Sequence, residues 1–567
     1  MTSTSKLSAI LRHLGLWLGL VFLSTGLLVL LIFYPYKINT EIVSLKVPST
    51  IPISNNIQPF KLQQLVGKLY LPHNTAAPYP TIILWHGVSS SKEMTEPLAL
   101  ELARHGIAAL TFDSGGFGES YRRNFSAEAN LEDARIAFQY VKQHPELFDQ
   151  TRLGIGGHSM GAATAMTFAA YTIDSAQIRV TIDLGMSAEV TTDRPANLLM
   201  GIGLYEEFHT PSAMAEMLQE ATKAPPVAGQ MYGNFANGTA RKLVIAPTSD
   251  HLMEPFDSNL IAEAVQWSRQ SFDLPPIPIN LTVPWLMKGW FMALLGAILT
   301  AGYGMKYLRY LGLDFLEREL QANPQSRIVS FGISGITGII LLLGMAHILA
   351  PRIATNLILT QAMILPISNY GLQQAQRLSR TLRLCGLYVL VIIAAYTTMA
   401  VLIAFPEILK QPIYLLHLPQ FFLEIPIALV YSRVQEFSAA MFTAYTSDLV
   451  PHWQLLLLFL PELIYPGVTF GWGTKMCRWL IQWVRQPLQL NLAPNSKCNS
   501  NHKSLYLLGG LSLMLGIILN QQLQLGLGSM EHITTALRIL WQMLIAPLLL
   551  IILTIRTKYF QRIEAKL

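Results

Sequence analysis

The residues best suited to chemistry are Gly157-His158-Ser159-Met160-Gly161. A serine hydroxyl is a weak nucleophile until a neighbouring base takes its proton, so this G-x-S-x-G pentapeptide matters only where other groups can reach it. It follows an apolar run at 152–156 and precedes a helix-like run at 162–171. That is the strand–turn–helix context in which the pattern exposes a serine on a sharp turn. Side chains in place of the glycines would clash with the strand and helix. The helix N-terminus behind the serine turns free N–H groups toward a developing oxyanion. The chemistry would be attack of Ser159 on a carbonyl carbon.

Three further stretches can supply the partners. Pro247-Thr248-Ser249-Asp250-His251 ends an apolar run and offers a histidine as base. Leu84-Trp85-His86-Gly87-Val88-Ser89 runs a strand into a turn that can aim a backbone N–H at an acyl oxygen. Phe112-Asp113-Ser114-Gly115-Gly116-Phe117-Gly118-Glu119-Ser120 ends the next strand in a glycine-rich turn. There Asp113 is expected to cap its own turn rather than act as a fourth catalytic group. Gly154-Ile155-Gly156 could open a dinucleotide fingerprint, but that pattern needs a third glycine where Ser159 stands.

The elements that must position these groups alternate. Strands are expected at 81–85, 108–112, 152–156, 180–184, 197–200 and 243–246, with helices at 94–104, 131–142 and 212–222 between them. Such alternation builds a doubly wound, mostly parallel sheet with helices on both faces. A ligand site then lies at the carboxyl edge of the strands.

In this order the motifs resemble the α/β-hydrolase superfamily, especially its dienelactone-hydrolase-like and acyl-peptidase-like branch, over about residues 55–272. The resemblance implies Ser159 as nucleophile, His251 as general base, and the N–H groups of Val88 and Met160 as an oxyanion hole. It implies two-step acyl transfer on an ester, thioester or amide, with no metal and no organic cofactor. It also implies an acid just past the strand preceding the histidine strand. After 197–200 comes Gly203-Leu204-Tyr205-Glu206-Glu207, where Glu206 fits the family spacing; Glu207 and Asp183 are the alternatives. Asp250 adjoins His251, but successive side chains point apart. Only about a dozen residues follow Asp183 before the next strand, so a large lid is not expected there. The stretch 222–241, with Tyr232 and Phe235, is placed to line the pocket.

Composition adds a second theme. Of 567 residues 51% are hydrophobic and 13% charged, against about 25% charged in soluble domains; the mean hydropathy is +0.38. Residues 14–34 are free of charge and meet the roughly 20 residues a bilayer crossing needs. With Lys6 and Arg12 before them and no A-x-A pattern before Pro35, they read as an uncleaved signal anchor. The domain plan is therefore 1–36 as anchor, 37–275 as hydrolase, 276–284 as a proline-rich linker, and 285–567 as a polytopic all-α membrane domain of about seven to nine spans. Spans are expected at 285–304, 328–349, 354–372, 384–404, 412–432, 504–521 and 535–555. The stretch 453–471 is interrupted by Pro461, Glu462 and Pro466.

The net charge of +6 does not point to nucleic acid, because many of the basic residues sit in short loops beside apolar runs. The partners expected are a small-molecule, lipid or peptide acyl substrate and membrane lipids. Cys385, Cys477 and Cys498 all lie outside the hydrolase stretch, and no Cys/His cluster has zinc spacing. Within 412–432, Pro412, Pro419 and Pro426 repeat every seven residues, as do His417 and Glu424. Ionisable residues at membrane depth often mark pathways. A rival reading is thus a transporter or lipid-handling protein with an accessory or inactive hydrolase module.

Short cytoplasmic loops collect Lys and Arg. Lys6 and Arg12 place the N-terminus inside and the hydrolase stretch outside the cytoplasm. The loop with Lys306, Arg309, Arg318 and Arg327 returns inside, as do Arg377, Arg380 and Arg383 and the tail with Arg556, Lys558, Arg562 and Lys566. Alkaline phosphatase fused after residue 283 is expected to be active, and green fluorescent protein at the C-terminus to fluoresce. Inactive and dark fusions would invert this topology.

Overall fold

Apolar runs too short for helices, separated by capped amphipathic ones, fold here into a layered sheet. The computed structural model describes residues 3–34, 38–47 and 64–308, apart from 74, 89, 122, 124–125, 187–189, 207 and 224–225. It also describes scattered positions within 387–431 and 550–563. The spans expected at 328–349, 354–372 and 504–521, the stretch 453–471 and all three cysteines lie outside the described residues. Those expected at 384–404, 412–432 and 535–555 are described only in part.

The chain divides into two compact units. One comprises Thr25–Ala293 and Ala400–Ala439, the other Met1–Ser24, Leu294–Met399 and Ala440–Leu567. The first holds a nine-stranded sheet built from β1 (Asn39–Lys46), β2 (Gln64–Leu71), β3 (Tyr79–Trp85), β4 (Ala108–Phe112), β5 (Phe148–His158), β6 (Ile178–Leu184), β7 (Leu198–Gly203), β8 (Met231–Tyr232) and β9 (Arg241–Ala246). Their order is β1-β2-β4-β3-β5-β6-β7-β9-β8. The six central strands are parallel, while β1, β2 and β8 pair antiparallel at the two edges. The sheet is mixed but mostly parallel. None of these three strands was expected: β8 has two residues, β1 exposes most of its side chains, and the apolar run of β2 is broken by Gly67 and Lys68, so none shows the continuous apolar run of a buried strand.

The register levels the functional edge. Trp85 is the partner of both Phe112 and Gly157, His158 pairs with Leu184, Leu184 with Gly201, and Gly203 with Ala246. The turns after β3, β4, β5, β7 and β9 therefore emerge side by side.

Among the described residues the α-helices with assigned bounds are α1 (Ser3–Phe33), α2 (Glu96–Arg104), α3 (Ala127–Gln143), α4 (Met160–Tyr171), α5 (Pro211–Thr222), α6 (Ser258–Ser271) and α7 (Val283–Leu308). Side-chain oxygens at N-caps start several of them. Ser126 accepts from Ala129 N–H, Thr210 from Ala213 N–H, and Asp257 from Asn259 and Leu260 N–H, each such cap contributing about 1 kcal/mol. On one face Phe138 and Val141 of α3 and Phe168 of α4 pack with Ile83, Trp85, Phe112 and Ile155. Met166 of α4 and Met214 and Leu218 of α5 continue that face over β7 and β9. Helices α2 and α6 cover the other face.

The proline-rich connector after α6 is irregular over 274–281, and Pro284 falls in the first turn of α7. The connector is pinned. Glu101 of α2, fully buried, accepts from the N–H groups of Thr282 and Val283 at 2.6 and 2.7 Å and from Thr282 Oγ1. Arg104 donates to the Asn280 carbonyl, and Arg269 to those of His105 and Pro275. Within the same unit, α1 and α7 approach at small residues. A Cβ on Gly26 would lie 2.3 Å from the Ala293 nitrogen, the close packing that small residues allow. Among the described residues one stretch, Leu14–Phe33 of α1, is long and apolar enough to cross a membrane; a signal sequence would satisfy the same test.

Residues 412–417 depart from the expected continuous helix. Pro412–His417 is a 3-10 stretch. Pro419 has no N–H to give the carbonyl of Leu415, so α-helical bonding cannot run through this point. His417 closes the 3-10 stretch while Glu424 lies in the helix that follows, where it accepts from Gln420 Nε2. The seven-residue repeat therefore does not trace one helical face.

The tightest approach at the functional edge is that of α4 to β3. A Cβ on Gly161 would lie 2.3 Å from the Trp85 carbonyl oxygen. Gly161→Ala is expected to lower the free energy of unfolding by roughly 1–3 kcal/mol, the scale of an overpacked core. An unchanged denaturation midpoint would mean that α4 can retreat freely.

Candidate active site

Strand β5 ends at His158 and α4 begins at Met160, leaving one residue to make the turn. That residue, Ser159, has φ +53° and ψ −118°, a conformation costly for a residue with a side chain. Its N–H donates to the Leu184 carbonyl at 2.9 Å, fixing the turn against β6. A Cβ on Gly157 would lie 2.5 Å from the Gly161 backbone. Both motif glycines are thus steric requirements of the elbow.

His251 follows β9 and reaches across to the serine. Ser159 Oγ donates to His251 Nε2 at 3.0 Å, and His251 Nδ1–H donates to Glu206 Oε2 at 2.8 Å. Glu206 sits just past β7. Its Oε1 accepts from the N–H groups of Phe208 and His209 at 2.8 and 3.2 Å. Burial alone would raise its pKa. The His251 ring and the hydrogen bonds from His251, Glu254 and Phe208 N–H outweigh burial and hold it below the ordinary value. Phe208 packs its ring 4.5 Å from that of His251.

The other acids named from sequence stand apart from this line. Asp183, fully buried at the end of β6, accepts from Met186 N–H through Oδ1, while Oδ2 finds no donor. Burial pushes its pKa well up. Glu207 lies outside the described residues. Asp250 accepts from Met253 N–H and is pushed up to about 6, chiefly by burial; it shapes the turn after His251.

Two contacts escaped the sequence. His158, the variable residue of the motif, packs its ring tilted at 42° and 4.7 Å from the His251 ring and donates from Nε2 to the His251 carbonyl at 2.8 Å. Burial drives its pKa well below the ordinary value, so it serves as a neutral donor under the base. Glu254 lies three residues past His251, with Oε2 3.2 Å from His158 Nε2. The spacing His251-x-x-Glu254 was the available signal. His158, His251 and Glu254 each place a ligand atom within 4.8 Å of the others, which would suit a metal ion. However, the protons on His251 Nδ1 and His158 Nε2 are already committed to Glu206 and the His251 carbonyl.

On the opposite side of the serine lies the turn after β3. A Cβ on Gly87 would lie 3.3 Å from Ser159 Cβ, which brings Gly87-Val88 alongside the hydroxyl. Met160 is the first residue of α4, where N–H groups have no intrahelical acceptor. His86 braces the turn, donating from Nδ1 to the Gly87 carbonyl and accepting from Ser114 N–H at Nε2. Asp113 accepts from the N–H groups of Lys92 and Glu119 and from Lys92 Nζ. Both of its oxygens are used in holding the glycine-rich turn. Lys92 Nζ also meets Glu119 at 2.6 Å and Glu93 at 3.4 Å. Burial works against its charge, but these three carboxylates prevail and push its pKa up.

Residues 76–185 match the family model described as serine aminopeptidase, S33, and the mixed sheet with its flanking helices is α/β-hydrolase-like. Uncharacterized proteins from two Mycobacterium tuberculosis strains are 30% identical over 104 residues, covering 18% of this chain and 36% of theirs. The chain thus spans about a third of the length of the curated relatives it matches. Similar solved structures include a cold-adapted esterase from an Arctic intertidal metagenomic library (18% identity, 42% of this chain, 95% of that one, TM-score 0.30). Others are an α/β serine hydrolase without lid from Xanthomonas campestris (17%, 43%, 99%, 0.31) and an esterase of Pyrococcus furiosus (14%, 41%, 93%, 0.31).

Removing one partner of a buried ion pair leaves the other uncompensated. Lys92→Met is therefore expected to destabilise the hydrolase segment by about 3–5 kcal/mol, and Asp113→Asn in the same chain to recover part of that. Additive losses in chemical denaturation would show that the two residues do not act as a pair.

Proposed function

We propose that this protein is a membrane-anchored serine hydrolase that cleaves an ester, thioester or amide through an acyl-enzyme on Ser159. The observation that supports it is the unbroken chain Ser159 Oγ–His251 Nε2, His251 Nδ1–Glu206, at 3.0 and 2.8 Å. In this reading His251 takes the Ser159 proton as Oγ attacks the carbonyl carbon. Glu206 fixes the tautomer that leaves Nε2 free to accept and stabilises the imidazolium that forms. The N–H groups of Val88 and Met160 hold the oxyanion. The imidazolium then protonates the leaving group, and water, deprotonated by His251, releases the acid and restores Ser159. The steps call for no metal and no organic cofactor. The substrate is an acyl compound, small-molecule, lipid or peptide. In this reading the hydrolase segment lies outside the cytoplasm on a chain that crosses the membrane repeatedly, which the apolar stretch Leu14–Phe33 and the basic loops of the sequence support.

Ser159→Ala is expected to abolish both p-nitrophenyl ester turnover and fluorophosphonate labelling, and His251→Ala to cost as much, because triad members act as a unit. Glu206→Gln is expected to lower kcat by roughly 10⁴-fold. Glu207→Gln and Asp183→Asn should do far less. Labelling that persists in Ser159→Ala would move the nucleophile elsewhere, and a larger loss from Glu207 or Asp183 would reassign the acid.

A further inference from the structure

Glu254 opens the one-turn stretch Glu254–Phe256 beneath His251. Its carboxyl group is fully buried, and no step described above uses it. Oε1 accepts from Gly203 N–H at 2.8 Å. Oε2 lies 3.2 Å from His158 Nε2 and 3.7 Å from His251 Nδ1, yet no donor serves it. The His158 proton goes to the His251 carbonyl and the His251 proton to Glu206. Glu206 and Glu254 converge on the same atom, His251 Nδ1, with Glu206 Oε2 at 2.8 Å and Glu254 Oε2 at 3.7 Å.

Two ionised carboxylates buried beside one N–H repel each other, and a proton on one of them relieves this and gives it an O–H to donate. Glu206 receives three other donors, His251 Nδ1–H and the N–H groups of Phe208 and His209. Glu254 receives one. Glu254, with fewer donors, is the carboxyl group better suited to hold the proton. Burial, followed by the Glu206 charge, pushes the Glu254 pKa well up, while Glu206 is held down. Space is kept for this carboxyl group: a Cβ on Gly185, at φ +69°, would lie 1.9 Å from Glu254 Oε2.

Resting on the serine-hydrolase reading, we propose that Glu254 is a positioning residue for the triad acid, its carboxylic O–H donating to Glu206 and fixing that carboxylate against His251. The titratable groups around it are Glu206, His251, His158 and Asp183, with Asp250 beyond Glu206. Burial pushes the Asp183 pKa up as well, while Glu206 is held down and is the charge that His251 meets. A second anion here would strengthen the hold of His251 on its proton and spoil it as a base near neutral pH. A neutral donor orients Glu206 without adding charge.

The test is ester hydrolysis by the full-length chain, measured as kcat, KM and the pH profile of kcat/KM. Glu254→Met removes the donor. It is expected to lower kcat roughly 10- to 100-fold, the scale of one hydrogen bond to a charged group, with KM little changed. Deprived of that donor, Glu206 becomes more basic, the Glu206–His251 pair takes up its proton at higher pH, and the acid limb moves up. Glu254→Gln keeps an N–H donor without a charge and is expected to restore both kcat and the acid limb. Gln as slow as Met, or an acid limb moved down in Gln, would make Glu254 an ionised counter-charge and overturn the proposal. Wild-type kinetics in Glu254→Met would reduce it to space filling. Ser159→Ala run alongside separates the two levels. Turnover surviving there sinks the hydrolase reading and this one with it. An inactive Ser159→Ala beside a fully active Glu254→Met sinks only the role of Glu254.

Discussion

Because Gly157 and Gly161 lack side chains, β5 and α4 can close onto the backbone of Trp85, and that approach holds Ser159 in its strained conformation. A non-glycine residue at positive φ costs on the order of 1–3 kcal/mol. The sheet and the helix around it are densely buried, so the turn has no cheaper conformation that keeps both packed. Everything else at this edge takes its position from the elbow. Gly87 lies against Ser159 Cβ, and His158 is turned under His251 because it immediately precedes Ser159.

The polar residues at the edge form two buried groups with opposite logic. Around Lys92 a cation is enclosed by Asp113, Glu93 and Glu119 and ties the glycine-rich turn to the start of α2. Around His251 the described residues include no lysine or arginine in an ion pair, and burial works against charge on Glu254, Asp183 and His158. The first arrangement stabilises structure through full charges. The second leaves one carboxylate opposed to one imidazole, the condition in which that imidazole can gain and lose a proton. His86 joins the two groups through Gly87 and Ser114.

Much of this could be read in the residues, and the reasons for the rest are physical. The strands of the parallel core announce themselves because both faces are buried and the runs are apolar throughout. Ser159 and His251 were visible because each ends such a run. Glu206 was reached through spacing within a resemblance, since a carboxylate just past a strand has no distinctive pattern of its own. Glu254 and His158 were passed over because their meaning depends on how three separate turns meet in space. β1 and β8 were missed because edge strands need few apolar residues, and β2 because Gly67 and Lys68 interrupt its apolar run. The 3-10 stretch at Pro412–His417 was hidden by an apolar composition that suits either kind of helix.

The carboxylate of Glu101, seated over the first N–H groups of α7, has a mechanical consequence. A proline-rich connector is ordinarily a spacer that lets two parts swing. Here its far end is clamped by α2 and its near end by Arg269, so it transmits torque instead of absorbing it. The first turns of α7 and the hydrolase segment then tilt as one lever, with its pivot beyond Val283. Any force that rotates this end of α7 also swings the serine, and the reach of the hydroxyl from that helix is set by the fold rather than sampled by diffusion.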